Sequence, residues 1–188
     1  MKITTILLTI SSILLSSCDS SKDRVHEAVT QMMSEYIDIP YDKMECWTND
    51  SLMKVSPWKQ AKLKLVHFVD STQCSSCYLH KIAIQEKLLH FEHDYQKVFT
   101  NVFIIAPGQR DRRKLYAEYG SDLLPATIFV DTTHVFVESN PKFPEESMLH
   151  TFLLDENNKV ILVGNPYVNK NMYEFLVGKV EERLRKIK

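Results

Sequence analysis

The chain of 188 residues carries 23 Lys and Arg side chains against 24 Asp and Glu, a formal net charge of −1 with neutral His. This balance excludes the strongly basic surface typical of nucleic-acid-binding domains, so nucleic acid is not an expected partner. Seven Pro, only four Gly and no internal repeat exclude a low-complexity chain, and the length suits one ordinary domain with a proper core.

The first 17 residues have the pattern of an export signal. Lys2 gives a short positive start, and the stretch from Ile3 to Leu15 is apolar or hydroxylated and carries no charge. This stretch is too short to span a bilayer comfortably as a helix, but it matches the apolar region of a secretory signal peptide. Residues 1–17 are therefore predicted to be a signal peptide, which places the mature protein in the cell envelope.

A lipidation signal closes this segment. The sequence Leu15-Ser16-Ser17-Cys18 resembles the bacterial lipobox, a Leu and two small residues ahead of a Cys. The resemblance implies a lipoprotein in which Cys18 becomes the first residue, is lipidated at its thiol and is acylated at its new amine with chains such as palmitate. Several acyl chains on one residue hold a domain on a membrane far better than one chain does. Residues 18–23 would be the tether, and the alternative is an ordinary signal peptide with an incidental Cys.

A helix and a variable stretch precede the main domain. Four side chains recur at helical spacing and predict an amphipathic helix over 24–37: Val25, Val29, Met32 and Tyr36. Residues 24–61 are accordingly interpreted as an N-terminal helix and extension. Cys46 in this extension is expected to be a buried small hydrophobic residue, and a role in mixed disulfides stays open.

Strands and helices alternate over residues 62–188. The predicted elements in chain order are a strand over 62–69, a helix through about residue 95, a strand over 98–106, a helix over 111–119 closed by Gly120, a strand over 125–130, a hairpin with strands over 151–154 and 160–163, and a helix over about 172–187. An alternation that ends in a hairpin and a helix predicts an α/β fold with one mixed sheet covered on both faces.

Cysteine spacing indicates the chemistry. With Cys18 assigned to lipid, Cys46, Cys74 and Cys77 remain, and an odd number favours one close pair plus a spare thiol over a structural framework. Export places the pair where a disulfide can persist. Cys74 and Cys77 stand where the first strand ends and the next helix begins. A helix N-terminus offers partial positive charge and free N–H groups, which stabilise a thiolate.

A Cys pair with two residues between its members, at a strand-to-helix junction, resembles the thioredoxin fold. More narrowly, the chain over 62–188 is similar to membrane-anchored bacterial proteins of the TlpA/ResA kind. The extra strand element around 125–131 and the segment 151–155 carry this closer resemblance. Uncharacterised thioredoxin-like lipoproteins share Val69-Asp70-Ser71 before the pair and Val163-Gly164-Asn165-Pro166 after the hairpin.

The resemblance implies an exported thiol–disulfide oxidoreductase that uses a redox-active disulfide and needs no diffusible cofactor. Cys74, nearer to solvent, would be the nucleophile, and Cys77, deeper in the helix, would resolve the mixed disulfide. Thiols and disulfides of other proteins are the expected partners, together with the membrane that holds the N-terminal lipid.

The sequence departs from the family pattern around the pair. Gln73 replaces the usual aromatic residue before the first Cys. Counting back from Asp155 places Leu149 at the position of the family's cis-proline. Pro125 is the other match by spacing, but the hairpin and helix that follow Thr151 favour the first alignment.

The family also has a buried polar group beneath the pair that acts as a proton relay. His67 and Asp70 are the two candidates for this auxiliary role. For His67, the other interpretation is a satisfied or surface histidine on the strand.

Two further functions stay open. Cys74, Cys77 and His80 recur at three-residue intervals and could ligate copper or zinc, as in the thioredoxin-like Sco copper chaperones, although those use a longer Cys spacing. The other alternative is a non-catalytic binding lipoprotein that keeps the pair as a structural disulfide, an interpretation that Leu149 favours.

Overall fold

The computed structural model describes residues 22–48, 61–84, 86–119 and 126–187. Cys18, the predicted signal peptide, Gly120 and Pro125 lie outside the described residues. No helix within those ranges is long and apolar enough to cross a membrane.

Twelve α-helices and β-strands follow one another along the described chain. They are α1 (22–34), β1 (Glu45–Trp47), β2 (Leu63–Val69), α2 (Ser75–Ile84), α3 (Glu86–Tyr95), β3 (Phe99–Ile105), α4 (Gln109–Tyr119), β4 (Ile128–Val130), α5 (Val135–Ser139), β5 (Thr151–Leu154), β6 (Val160–Val163) and α6 (Lys170–Arg185). The predicted strands and the final helix are confirmed. The helix expected through residue 95 is divided into α2 and α3, and neither β1 nor α5 was predicted.

Six strands form one mixed sheet in the order β1-β4-β3-β2-β5-β6. β2, β3 and β4 run parallel, whereas β1, β5 and β6 each run antiparallel to the strand beside them. All seven residues of β2 and all seven of β3 are buried. Burial along the whole length of both strands fits parallel strands that are covered on both faces.

Side chains that alternate along the strands divide the core between the two faces of the sheet. On one face, Val66 and Phe68 of β2 pack with Met32 of α1 and Phe136 of α5. The other face holds two clusters. One contains Val69 with Leu79 of α2 and Leu115 of α4, and the second contains residues of β2 and β3 with Phe91, Leu176 and Val180. Helices therefore cover both faces, as the sequence predicts.

Candidate redox site

Cys74 and Cys77 form a disulfide at the start of α2, with their Cα atoms 5.3 Å apart. Cys74 immediately precedes the helix and Cys77 lies in its first turn. Both cysteines are exposed, so the helix does not bury Cys77. The reason is the rotation of α2, which turns Ser75 and Ser76 inward, where they are 0% and 5% exposed.

Hydrogen bonds tie the pair to the first turn of α2. The Cys77 N–H donates to Cys74 Sγ at 3.2 Å, and the Tyr78 N–H donates to the Cys74 carbonyl at 3.0 Å. The Ser75 N–H donates to Asp111 Oδ2 at 2.8 Å, and Ser76 Oγ donates to Asp111 Oδ1 at 3.4 Å. Cys74 and Asp111 therefore share the N-terminus of one helix.

Asp70 organises the loop between β2 and the pair. Its carboxylate accepts the Thr72 N–H at 2.7 Å and Gln73 Nε2 at 3.0 Å. Burial pushes the pKa of Asp70 up, but the hydrogen bonds from Thr72 and Gln73 outweigh it and lower the pKa overall. Across the adjoining loop, a side chain at Gly108 would stand only 3.1 Å from the Ser71 carbonyl, so the close approach of the two loops favours glycine there. The position and bonds of Asp70 are those of a loop-fixing residue.

His67 lies inside the molecule beneath α2 and is only 1% exposed. Its ring stacks on Phe103, with the two ring centroids 4.8 Å apart. Nδ1 lies 3.0 Å from Tyr78 Oη, and Nε2 lies 3.3 Å from Asn101 Oδ1. Burial lowers the pKa of His67 to about 4, so the ring is neutral at neutral pH. Of the two interpretations of the sequence, these contacts fit a satisfied interior histidine.

The position before β5 is occupied by Leu149 and His150. Leu149 is 4% exposed and packs in the cluster with Phe68, and no cis peptide bond occurs in the described parts of the chain. His150 Nε2 donates to the Pro144 carbonyl at 2.9 Å. Its Nδ1 atom lies 3.3 Å from Asp70 Oδ2 without a hydrogen bond. The segment that enters β5 therefore contacts the loop before the pair through His150.

His80 and Cys46 are the remaining candidates. His80 is exposed on α2, and both sulfur atoms proposed to act with it as metal ligands are joined in the disulfide. Within the ranges described, no group of three or more His, Cys, Asp or Glu side chains could hold a metal ion. The trio therefore does not fit a metal site while the disulfide is closed. Cys46 is exposed rather than buried, because β1 lies at the edge of the described sheet, where it pairs with β4.

Sequence reasoning missed Asp111, Tyr78 and His150. Asp111 is separated from Ser75 by 36 residues, and Tyr78 from His67 by 11. None of these contacts leaves a pattern in the sequence. The Asp111 carboxylate in the first turn of α4 is visible as a helix signal, but its neighbour across space is not.

No family model matches this sequence, and no curated protein matches it with significance. Among solved structures, a thioredoxin-like protein in the oxidised form is 18% identical, with a TM-score of 0.45, over 79% of this chain and 95% of that one. A putative thiol:disulfide interchange protein DsbE from Chlorobium tepidum is 15% identical, with a TM-score of 0.43, over 78% of this chain and 99% of that one. Yeast Sco1 with copper bound is 14% identical, with a TM-score of 0.44, over 65% of this chain and 80% of that one.

These likenesses are distant, and the topology of the chain itself decides the fold. A central strand leads into a helix that begins at a Cys pair, a parallel strand follows, and an antiparallel hairpin and a helix end the chain. The fold is thioredoxin-like. In this thioredoxin-like domain, the disulfide occupies the helix N-terminus at the carboxyl end of β2, and the short strands β4 and β1 extend the sheet beyond β3.

Proposed function

We propose that this protein is a thiol–disulfide oxidoreductase of the cell envelope, anchored to a membrane through lipid on Cys18. The observation that carries the redox proposal is the exposed Cys74–Cys77 disulfide at the N-terminus of α2. Exposure supports access by a partner protein, and the helix N-terminus supports formation of a thiolate. Protein thiols and disulfides are the proposed substrates.

The reaction is two successive thiol–disulfide exchanges. In the reduced protein, the Cys74 thiolate attacks one sulfur of a partner disulfide, forms a mixed disulfide and releases the other partner sulfur as a thiolate. The Cys77 thiolate then attacks Cys74 Sγ, which closes the Cys74–Cys77 disulfide and releases the second partner thiolate. Two electrons pass from the pair to the partner, and the reverse sequence oxidises a partner dithiol.

Cys74 is the proposed nucleophile because of its place relative to the helix. Its sulfur accepts the Cys77 N–H, one of the amides that have no partner within the helix. A thiolate at Cys74 keeps that hydrogen bond and gains strength from its own charge. Cys77 has the reach to resolve the intermediate, since its sulfur is bonded to that of Cys74 in the oxidised state.

His67 is proposed to act through Tyr78 rather than as a proton carrier to Cys77. Its neutral ring is hydrogen-bonded to the hydroxyl of Tyr78, the residue that follows Cys77. This bond fixes the first turn of α2 against β2. Because both ring nitrogens are engaged by neutral groups, we assign His67 a positioning role.

Trapping a mixed disulfide tests the redox proposal. In a Cys46→Ser background, Cys77→Ser leaves Cys74 free to attack but removes the resolving thiol, so partner proteins should accumulate as adducts that a reductant releases. The matched control is Cys74→Ser with Cys77 intact, which should accumulate far fewer adducts. Adducts at equal levels in both variants would contradict Cys74 as the nucleophile.

A second measurement separates turnover from a purely structural disulfide. Equilibration of the pair with glutathione buffers gives its reduction potential, and structural disulfides fall below about −300 mV. A pair that resists reduction in that range, in a protein that traps no partner, would favour the binding-only alternative. That alternative also predicts that the Cys74→Ser, Cys77→Ser double variant still supports the function in cells.

A further inference from the structure

One carboxylate serves two helix N-termini beside the Cys pair. Asp111 lies in the first turn of α4, where its negative charge favours that helix. Its side chain also reaches α2 and accepts the Ser75 N–H at 2.8 Å, with Ser76 Oγ at 3.4 Å from the second carboxylate oxygen. Ser75 directly follows Cys74, so this charge sits at the same helix end as the Cys74 sulfur.

A second anion at this helix end costs free energy. A helix N-terminus carries about half a positive charge, concentrated on its unpaired N–H groups. Asp111 already occupies the first of these N–H groups, that of Ser75, and Cys74 Sγ uses that of Cys77. Negative charges close together disfavour one another, so ionisation of Cys74 has to occur against the field of Asp111.

We propose that Asp111 is a positioning residue of the redox pair, whose charge opposes the Cys74 thiolate and thereby favours the closed disulfide over the reduced pair. The inference rests on the proposed function, and it adds a direction. A pair whose reduced form is destabilised transfers its electrons more readily to a partner disulfide. A dithiol donor then has to reduce the Cys74–Cys77 disulfide again.

The other ionisable groups described around the pair do not contact the N-terminus of α2 as Asp111 does. Asp70 stands on the loop side, where Thr72 and Gln73 engage its carboxylate, and it adds to the negative field. His67, beneath α2, and Tyr78, on α2, form a neutral pair. The remaining ionisable side chains of the nearby helix turns are exposed and therefore screened by solvent: His80, Lys81, Arg110, Arg112, Arg113 and Lys114. Among these groups, Asp111 is the one bonded to a backbone N–H of α2.

Charge and hydrogen bonding at Asp111 can be separated by substitution. Asp111→Asn keeps an oxygen that accepts the Ser75 N–H but removes the charge, whereas Asp111→Glu keeps the charge. In the full-length chain with Cys46→Ser and Cys77→Ser, the rate of Cys74 alkylation by iodoacetamide is measured against pH. We expect the midpoint of this profile to fall by about one pH unit in Asp111→Asn and to stay near the original in Asp111→Glu. Glu174→Gln, a charge loss on the exposed side of α6, is the matched control and should leave it unchanged.

The reduction potential gives an independent measurement in chains that retain Cys77. The pH is chosen above the alkylation midpoints of both the original chain and Asp111→Asn. There, Asp111→Asn should shift the equilibrium with glutathione about tenfold toward the reduced pair, which corresponds to about 30 mV. A structural role alone would lower the melting temperature without moving either quantity. If Asp111→Asn does not fold, Asp111→Ser takes its place in the same measurements.

Failure of this inference and failure of the proposed function give different results. If the original pair exchanges with glutathione and traps a partner, but neither midpoint nor potential moves in the neutral variants, Asp111 has no electrostatic role. A midpoint that rises would overturn the inference as well. If the original pair does not exchange at all, the redox proposal itself fails, whatever Asp111 does.

Discussion

His67 Nδ1 lies 3.0 Å from Tyr78 Oη, which ties the middle of the central strand to the residue after Cys77. The tautomer follows from the neighbouring bonds. Asn101 Nδ2 donates to Glu92 Oε2 at 2.8 Å, so Asn101 Oδ1 is the acceptor toward the ring. His67 Nε2 therefore carries the proton, and Nδ1 accepts from the tyrosine. Protonation of His67 at Nδ1 would remove the acceptor of the Tyr78 hydrogen bond. The bond that holds α2 beneath the redox pair is therefore sensitive to acid.

Acid is expected to destabilise the fold through His67. Burial lowers its pKa from 6.5 to about 4 in the folded protein. Because the folded pKa lies below the unfolded value, the unfolded chain binds the proton first as the pH falls. The contribution is fully present above about pH 6.5 and is lost between pH 6.5 and 4, about 3 kcal/mol in all. Urea unfolding at several pH values measures it.

His67→Gln should flatten that part of the pH dependence, since no titrating group remains at the position. The control is His80→Gln, a change at an exposed histidine, which should leave the slope as it was. An equal slope in the original chain and in His67→Gln would show that other groups account for the acid sensitivity.

Tyr78→Phe removes one hydroxyl beneath the redox pair. His67 Nδ1 then lacks its donor in a buried site, and an unsatisfied buried acceptor costs about 1–3 kcal/mol of the free energy of unfolding. Urea unfolding at pH 7 measures the loss. Tyr36→Phe, at a side chain that is 64% exposed, is the matched control and should change the stability by less than about 0.5 kcal/mol. Equal stability in the two variants would contradict a supporting role for the His67–Tyr78 bond.

Cys46 should react as a free thiol in the oxidised protein. It is exposed, but desolvation raises its pKa above the ordinary value, so alkylation should accelerate toward alkaline pH. Mass spectrometry after alkylation of the lipidated protein should find one modified Cys without reductant and three with it. Cys46→Ser should abolish the first modification and leave stability nearly unchanged. Alkylation of Cys74 or Cys77 without reductant would contradict a closed pair.

Cys18→Ser tests the membrane anchor. If the thiol carries lipid, the protein should sediment with membranes in cells, and the variant should lose both that association and the mass of the acyl chains. Ser17→Ala is the matched control, because Ala is also small at the position before the cleavage site. Membrane association that persists in Cys18→Ser, with no change in mass, would show that another feature holds the protein there.

Local pattern was enough to predict most of the fold. The mostly apolar runs over 62–69 and 98–106 predicted the strands β2 and β3, and the turn over 155–159 predicted the hairpin. β1 escaped prediction because it has three residues and exists through pairing with β4, with Cys46 opposite Phe129. α5 has five residues, too few for a helical period, and hydrogen bonds from its first amides to Asp131 define its start.

The Cys pair shows most clearly what the sequence determined and what the tertiary structure determined. The sequence by itself determined that Cys74 and Cys77 stand at a strand-to-helix junction, because that depends only on neighbouring residues and their periodicity. The tertiary structure alone decided that Ser75 and Ser76 face inward, that Cys77 is exposed and that Asp111 binds the Ser75 N–H. The rotation of α2 and the docking of α4 set these contacts. Both depend on how distant segments fill the space against the sheet, which no local pattern records.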